Sequence, residues 1–195
     1  MAGQRRERAD AAENRRRILA AARTLANDRG APPLTMKAVA SAAGVGKATI
    51  FHRFGDRDGL IGALLDDYMT ELQDGFLHGP PPLGPGAPAD QRLEAFMGEL
   101  VRRTVANLGA ALIAESLTTS DPPPVYGALR LHVSVLIGQI DSGLPASTLA
   151  AYLLNAVAPS VLDRSLSAGD ADVTSLADAA RQLVRGITGS AVDDS

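Results

Sequence analysis

Residues 35–54, "TMKAVASAAGVGKATIFHRF", constrain the fold of this chain more than any other stretch. They read as two short helices separated by a turn that contains two glycines. Thr35 stands where its hydroxyl can cap the first helix, and Gly44 can supply the left-handed conformation that ends it. Ala40 and Ala43 are small enough for the two helices to cross closely, with Val45 filling the gap. The spacing predicts a helix-turn-helix.

A phosphate-binding loop is the alternative for the same stretch, because Gly46 and Lys47 are adjacent. That loop needs a glycine at position 41 and a hydroxyl at position 48, where this sequence has Ser41 and Ala48. It also needs a buried strand before it, whereas "KAVASAA" is rich in alanine and favours a helix. The phosphate loop is therefore rejected.

The rest of the chain also favours helices, since alanine and leucine dominate and aromatic residues make up only 4 %. We predict an all-α fold of about nine helices, with an N-terminal three-helix DNA-binding domain and a larger helical domain. Helical patterns cover 10–29, 91–119 with a break near Leu108, 146–166 with a kink at Pro159, and 173–188. A long fourth helix follows Asp56, and residues 78–90 hold five prolines and three glycines, which predicts a loop.

Charge is unevenly distributed along the 195 residues. Residues 1–60 carry a net charge of +6, and the remainder carries −9, which indicates that the N-terminal part meets a polyanion. The chain has no cysteine, its N-terminus lacks the apolar run of a secretory signal, and no apolar stretch is long enough to span a bilayer. A cytoplasmic protein without membrane partners is expected.

A family resemblance follows from these motifs. The stretch "TMKAVASAAGVGKATIFHRFGDRDGLIGALL" resembles the DNA-binding region of the TetR family of bacterial transcriptional regulators, over about residues 12–66. The resemblance implies a helix-turn-helix domain at 1–56, with 1–9 as a flexible basic arm, and a helical effector-binding and dimerisation domain at 57–195. Phe51 stands where the family commonly has tyrosine, Arg57 replaces a lysine, and Gly46 replaces a serine or threonine.

We expect the second helix of the motif to present its polar face to DNA, while Ile50 and Phe54 on its opposite face pack inward and anchor it. Base edges and the sugar-phosphate backbone would be met by different side chains. We assign Lys47, Thr49 and His52 to base edges, with Ala48 beside them, and Thr35, Lys37, Phe51 and Arg57 to the backbone. Arg5, Arg6 and Arg8 in the arm, and Arg15, Arg16 and Arg17 on the first helix, can add salt-sensitive affinity.

The resemblance further implies a homodimer through the last two long helices and a cavity for a small effector. The ligand candidates are the large or polar-tipped side chains Tyr68, Met69, Phe96, Met97, Tyr126 and His132. The dimer candidates are the apolar stripe Leu176, Ala179, Ala180, Leu183, Val184 and Ile187. Burial within the same subunit stays open for both sets.

The sequence thus predicts a repressor that binds a near-palindromic operator in double-stranded DNA as a homodimer and is released by a small, mostly apolar effector. No cofactor or metal is expected, and no HExxH, nucleophile elbow or paired acidic-histidine motif indicates an enzyme. Two alternatives remain: a DNA-binding regulator controlled by a protein partner, and a helical ligand carrier or enzyme.

Overall fold

The computed structural model describes residues 2–28, 34–117, 124–140 and 145–189. All regular secondary structure in those ranges is α-helical, which confirms the predicted fold class. The ten helices are α1 (Ala2–Asn27), α2 (Met36–Ala43), α3 (Lys47–Phe54), α4 (Arg57–His78), α5 (Ala89–Ala106), α6 (Leu108–Leu117), α7 (Pro124–Gln139), α8 (Ala146–Ala156), α9 (Pro159–Ala168) and α10 (Val173–Gly189).

The N-terminal segment corrects one prediction. Helix α1 begins at Ala2, so residues 2–9 continue the helix and are not the flexible arm that was expected. Alanine, arginine and glutamate all favour helices, and no proline interrupts residues 2–27. The side chains of Arg5, Arg6 and Arg8 lie outside the described residues.

Pro159 accounts for the tenth helix. It is not a kink within one helix, as predicted, but the first residue of α9, and Val157 and Ala158 separate it from α8. Proline suits the first helical turn, where its missing N–H would have no partner. The predicted break near Leu108 is confirmed, because α5 ends at Ala106 and α6 begins at Leu108. The predicted loop is also present, between His78 and Ala89.

The chain divides into two compact units, and the first comprises residues 1–67 together with 107–114. Its core joins Ile18 and Ala22 of α1, Val39 of α2, Ile50 of α3 and Leu60 of α4, each fully or almost fully buried. The first three helices do not enclose this core alone, because Leu60 of α4 and Ala110 of α6 also belong to it. This compact unit extends past residue 56, where the sequence predicts the end of the helix-turn-helix domain.

The second unit comprises residues 68–106 and 115–195. Helix α5 is central, with α7, α9 and α10 packed against it, and α8 packs on α7. Phe96 and Val101 of α5 are completely buried, as is Val133 of α7. Arg103 of α5 bonds Glu99 at 2.8 Å and reaches Glu71 of α4 at 2.7 Å, which joins these two helices within the unit.

Candidate nucleic-acid interface

Helix α3 is amphipathic in the way that a DNA-reading helix requires. Ile50 is completely buried and Phe54 is half-buried, and both face the core of the first unit. The exposed side chains of α3 are those of Lys47, Ala48, Thr49, Phe51, His52 and Arg53. All five side chains that were assigned to DNA on this helix are therefore accessible, and Arg53 adds a cation that sequence reasoning did not select.

The turn before α3 is set by glycines. Gly44 ends α2 with φ 63° and ψ 37°, a left-handed conformation that glycine adopts at low cost. Val45 donates its backbone N–H to the carbonyl oxygen of Ala40 at 3.0 Å, which closes the end of α2. Gly46 is extended and caps α3 without a side-chain bond. The predicted end of α2 and start of α3 are both confirmed.

The start of α2 is capped as predicted. The Thr35 hydroxyl accepts the backbone N–H of Ala38 at 3.1 Å. Thr35 and Lys37 are both exposed, so the assigned contacts with the DNA backbone are sterically open.

Two arginines hold α2 from opposite ends. Arg17 of α1 donates from Nη2 to the carbonyl oxygen of Ala43, the last residue of α2, at 2.7 Å. Arg57 of α4 donates from Nε to the carbonyl oxygen of Leu34, just before the α2 cap, at 2.9 Å. Sequence reasoning assigned Arg17 to a solvated or DNA-facing run and Arg57 to a phosphate. In the structure each of them donates a hydrogen bond to a backbone carbonyl oxygen at one end of α2, and so fixes the position of that helix.

The other arginines of the α1 run have local partners. Arg16 pairs with Glu13 at 2.5 Å, and the Arg15 guanidinium lies 6.0 Å from the centroid of the Phe54 ring. On α3, the Lys47 ammonium lies 5.4 Å from the centroid of the Phe51 ring. That contact holds the lysine near the N-terminal end of α3, where a reading helix approaches base edges.

The six predicted ligand residues fall in the second unit, where most are core side chains. Phe96 and Met97 are almost completely buried, and Tyr68 and Met69 are buried. Burial raises the pKa of Tyr68 to about 12. Tyr126 and His132 are half-buried.

His132 has the most distinctive surroundings of that set. Its ring stacks on Phe76 with centroids 3.9 Å apart and lies 4.8 Å from the Phe96 centroid. Burial, together with the positive charge of Arg92, lowers the pKa of His132 to about 4. Phe76 and Arg92 were not selected from the sequence.

A groove of about 540 Å³ lies elsewhere in the second unit. Its walls are the loop residues 80–83, one face of α5, and α10, and none of the six predicted ligand residues lines it. Its charges are paired, since Arg185 bonds Glu94 at 2.7 Å and Arg102 bonds Glu99 at 3.0 Å.

The predicted dimer stripe on α10 divides into two sets. Ala180 and Val184 are buried in the chain's own core, the alternative that the sequence left open for this stripe, because α10 packs on α5 along this side. Leu183 is 51 % exposed and Ala179 is exposed, whereas Leu176 and Ile187 are half-buried.

Among the residues that the structure describes, no helix is long and apolar enough to cross a membrane. Within the same residues, no three His, Asp or Glu side chains are grouped in a way that could hold a metal ion.

Comparisons with known proteins agree with this geometry. The family model described as "Bacterial regulatory proteins, tetR family" matches residues 18–64. The HTH-type transcriptional regulator BetI of Escherichia coli strain SMS-3-5 is 34 % identical over 137 residues, which are 67 % of this chain and 70 % of BetI. BetI of strain K12 is also 34 % identical, over 130 residues and 66 % of each chain.

Solved structures share the fold. A transcriptional regulator from Rhodococcus sp. RHA1 matches with a TM-score of 0.70 over 93 % of this chain and 98 % of its own, at 18 % identity. The fatty acid degradation regulator FadR from Bacillus halodurans matches with a TM-score of 0.68 over 87 % of this chain and 97 % of its own, at 17 % identity. At these identities the two matches concern the fold alone.

Proposed function

Because this chain belongs to the TetR family of bacterial transcriptional regulators, we propose that it is a repressor that binds a near-palindromic operator as a homodimer and is released by a small effector. Such a repressor acts in the cytoplasm, where bacterial DNA lies.

The exposed polar face of α3 is the observation that carries the proposal. Lys47 suits the acceptor atoms of guanine, and Thr49 can offer its methyl group to thymine. His52 lies on the same short helix and is equally accessible. Ile50 anchors the helix in the core, so these side chains are presented on a rigid element.

Operator symmetry follows from the dimer. Two recognition helices related by a two-fold axis read successive major grooves when they lie about 34–36 Å apart, one turn of DNA. Exposed Leu183 and Ala179 on α10 support a surface where a second copy packs.

Release by an effector requires that the effector prefers a state unable to bind the operator. Roughly 10²–10⁴-fold tighter binding to that state changes occupancy substantially. We place the effector in the second unit, where Tyr126 and His132 are the two predicted ligand residues that are not fully enclosed. Isolation of one stoichiometric protein partner, with no small molecule altering operator affinity, would favour the alternative of control by a protein.

The first experiment measures binding of the purified protein to its own upstream intergenic DNA by fluorescence anisotropy over a range of salt. The test variant is Lys47→Ala/Thr49→Ala. The control is Arg102→Ala, which removes an exposed cation from α5 in the second unit. We expect the double variant to lose specific affinity by at least about tenfold, because each good base contact is worth roughly 1–3 kcal/mol of discrimination. The control should bind as the wild type does.

Equal specific binding by the wild type and the double variant would contradict the assignment of α3. Where the upstream DNA is not bound, selection of bound fragments from the whole genome tests other sites. Failure of that selection at low salt would remove the proposal of sequence-specific regulation.

A further inference from the structure

Among the described residues, Arg92 of α5 lacks the carboxylate partner that four other arginines of the second unit have. Arg103 bonds Glu99 and Glu71, Arg102 bonds Glu99, Arg181 bonds Asp178, and Arg185 bonds Glu94. Arg92 of α5 pairs with no carboxylate among the described residues. Its one bond within those ranges runs from Nη2 to the carbonyl oxygen of Phe76, and at 3.4 Å it is long.

Two buried polar atoms, one on Arg92 and one on His132, have no hydrogen-bond partner among the described residues. They are Nε of Arg92 and Nε2 of His132, and both are enclosed. Buried polar groups in proteins are nearly always hydrogen-bonded, because each unsatisfied one costs roughly 1–3 kcal/mol. Both residues are half-buried as a whole, so part of each side chain is exposed although the two nitrogens themselves are enclosed.

The surroundings of these two atoms are aromatic. The ring of His132 on α7 stacks on the ring of Phe76 on α4. The centroid of the Phe96 ring on α5 lies 4.8 Å from that of His132. Phe76 also meets Phe96 edge-to-face at 5.6 Å. Arg92 and Phe96 are four residues apart on α5, which places them on one face of that helix.

We propose that Arg92 and His132 anchor a small organic acid, whose carboxylate accepts hydrogen bonds from both side chains and whose apolar body lies beside the partly exposed ring of His132, which the buried rings of Phe76 and Phe96 support. Guanidinium and carboxylate match in geometry as well as in charge. One tautomer of a neutral imidazole carries its hydrogen on Nε2 and donates it to the second carboxylate oxygen. A dianion such as phosphate fits less well, because His132 is neutral at pH 7 and only one of the two anchoring side chains is charged.

The protonation state of His132 agrees with this arrangement. With a pKa of about 4 the ring is neutral at pH 7, so it supplies a hydrogen bond and Arg92 supplies the charge. The inference rests on the proposed function only in identifying the acid as the effector. Binding itself is independent of DNA.

Calorimetry on the DNA-free protein at pH 7 tests the site with two matched pairs of probes, benzoate with benzamide and hexanoate with hexanamide. Each amide keeps the shape of its acid but removes the negative charge. We expect each acid to bind at least about tenfold more tightly than its amide. Arg92→Gln should weaken acid binding about tenfold to hundredfold and leave the amide unchanged, because it removes a charge-assisted bond.

Two further variants control for general damage. Arg102→Gln removes an exposed arginine from the same helix and should preserve the preference for the acid. His132→Phe keeps an aromatic ring but removes the donor, and should lower acid affinity several-fold. Thermal unfolding checks each variant, and Arg92→Met, which also removes the charge, replaces Arg92→Gln if that variant does not fold.

Equal binding of acid and amide, binding of neither probe pair, or a preference that survives the Arg92 variant would each overturn the site. Addition of the acids to the operator complex then separates the two proposals. Acid binding without operator release supports the site and contradicts its effector role. Operator binding by a protein that ignores both acids overturns the site and leaves the repressor proposal intact.

Discussion

Arg17 and Ala43 are joined by a hydrogen bond of 2.7 Å between a guanidinium nitrogen of α1 and the last carbonyl oxygen of α2. The bond lies where the partial negative charge of a helix C-terminus favours a cation. It fixes α2 immediately before the turn that leads into α3. Arg17 therefore orients α3, the helix assigned to reading DNA, through its bond with α2. This role needs no contact between Arg17 and DNA.

Replacing Arg17 with methionine should lower specific operator affinity by about tenfold and the free energy of unfolding by ~1–2 kcal/mol, the value of a charge-assisted bond. The slope of log affinity against log salt should stay the same, since no phosphate contact is lost. Anisotropy and urea unfolding measure the two effects, with Arg102→Met in the second unit as control. A slope reduced by about one would instead place Arg17 on a phosphate.

The hydrogen bonds that Arg17 and Arg57 donate to backbone carbonyl oxygens could not be predicted from this sequence. The caps Thr35 and Gly44 were predictable, because each acts on residues within a few positions. Arg17 and Ala43 are 26 residues apart, and nothing in a run of three arginines distinguishes the one that reaches back to α2. The fold class and the helix α3 could be predicted from local sequence patterns, whereas hydrogen bonds between helices could not.

Periodicity has a similar limit in the second unit. The stripe on α10 correctly predicted an amphipathic helix, but Val184 faces the chain's own core and Leu183 faces solvent. A wide apolar stripe does not reveal which part of it the same subunit covers. His132 was selected as a ligand candidate, yet Arg92 was not, because their proximity depends on how α5 and α7 pack.

The second prediction concerns a close approach between α1 and α6. A Cβ added to Gly109 would overlap the carbonyl oxygen of Ala26, and the Gly109 N–H donates to Asn27 Oδ1 at 3.0 Å. Gly109→Ala should lower the free energy of unfolding by roughly 1–3 kcal/mol, because backbone rather than a flexible side chain must move.

Gly62 of α4 is the matched control, since a Cβ added there meets nothing within 4 Å. Gly62→Ala should stabilise the protein by about 0.5–1 kcal/mol through helix propensity alone. Urea unfolding of both variants measures the difference, and equal effects at the two positions would contradict the close approach.

The third prediction concerns the exposed part of α10. Leu183→Glu places a charge on the surface assigned to the second copy, and should shift the protein from dimer to monomer in analytical ultracentrifugation. Operator affinity should fall with it, because a monomer contacts only one half-site. Leu77→Glu is the control, since Leu77 on α4 is 45 % exposed but lies outside the assigned surface. A dimer that survives Leu183→Glu would locate the interface elsewhere.

His132 predicts a pH dependence of stability with a definite sign. Burial first, and then the charge of Arg92, lower the pKa of His132 from 6.5 to about 4. Between those values the unfolded chain takes up a proton that the folded protein does not, so the free energy of unfolding falls as pH drops from about 6.5 towards 4. Above 6.5 the ring is neutral in both states, and this contribution to the pH dependence vanishes.

His132→Phe removes that titration while keeping an aromatic ring against Phe76. Urea unfolding at intervals from pH 7 to pH 4 should therefore show the wild type losing more stability than the variant. Identical pH profiles for wild type and His132→Phe would mean that the folded protein protonates His132 as readily as the unfolded chain does. The ring would then be charged in mildly acidic solution, and the neutral donor beside Arg92 would be lost there.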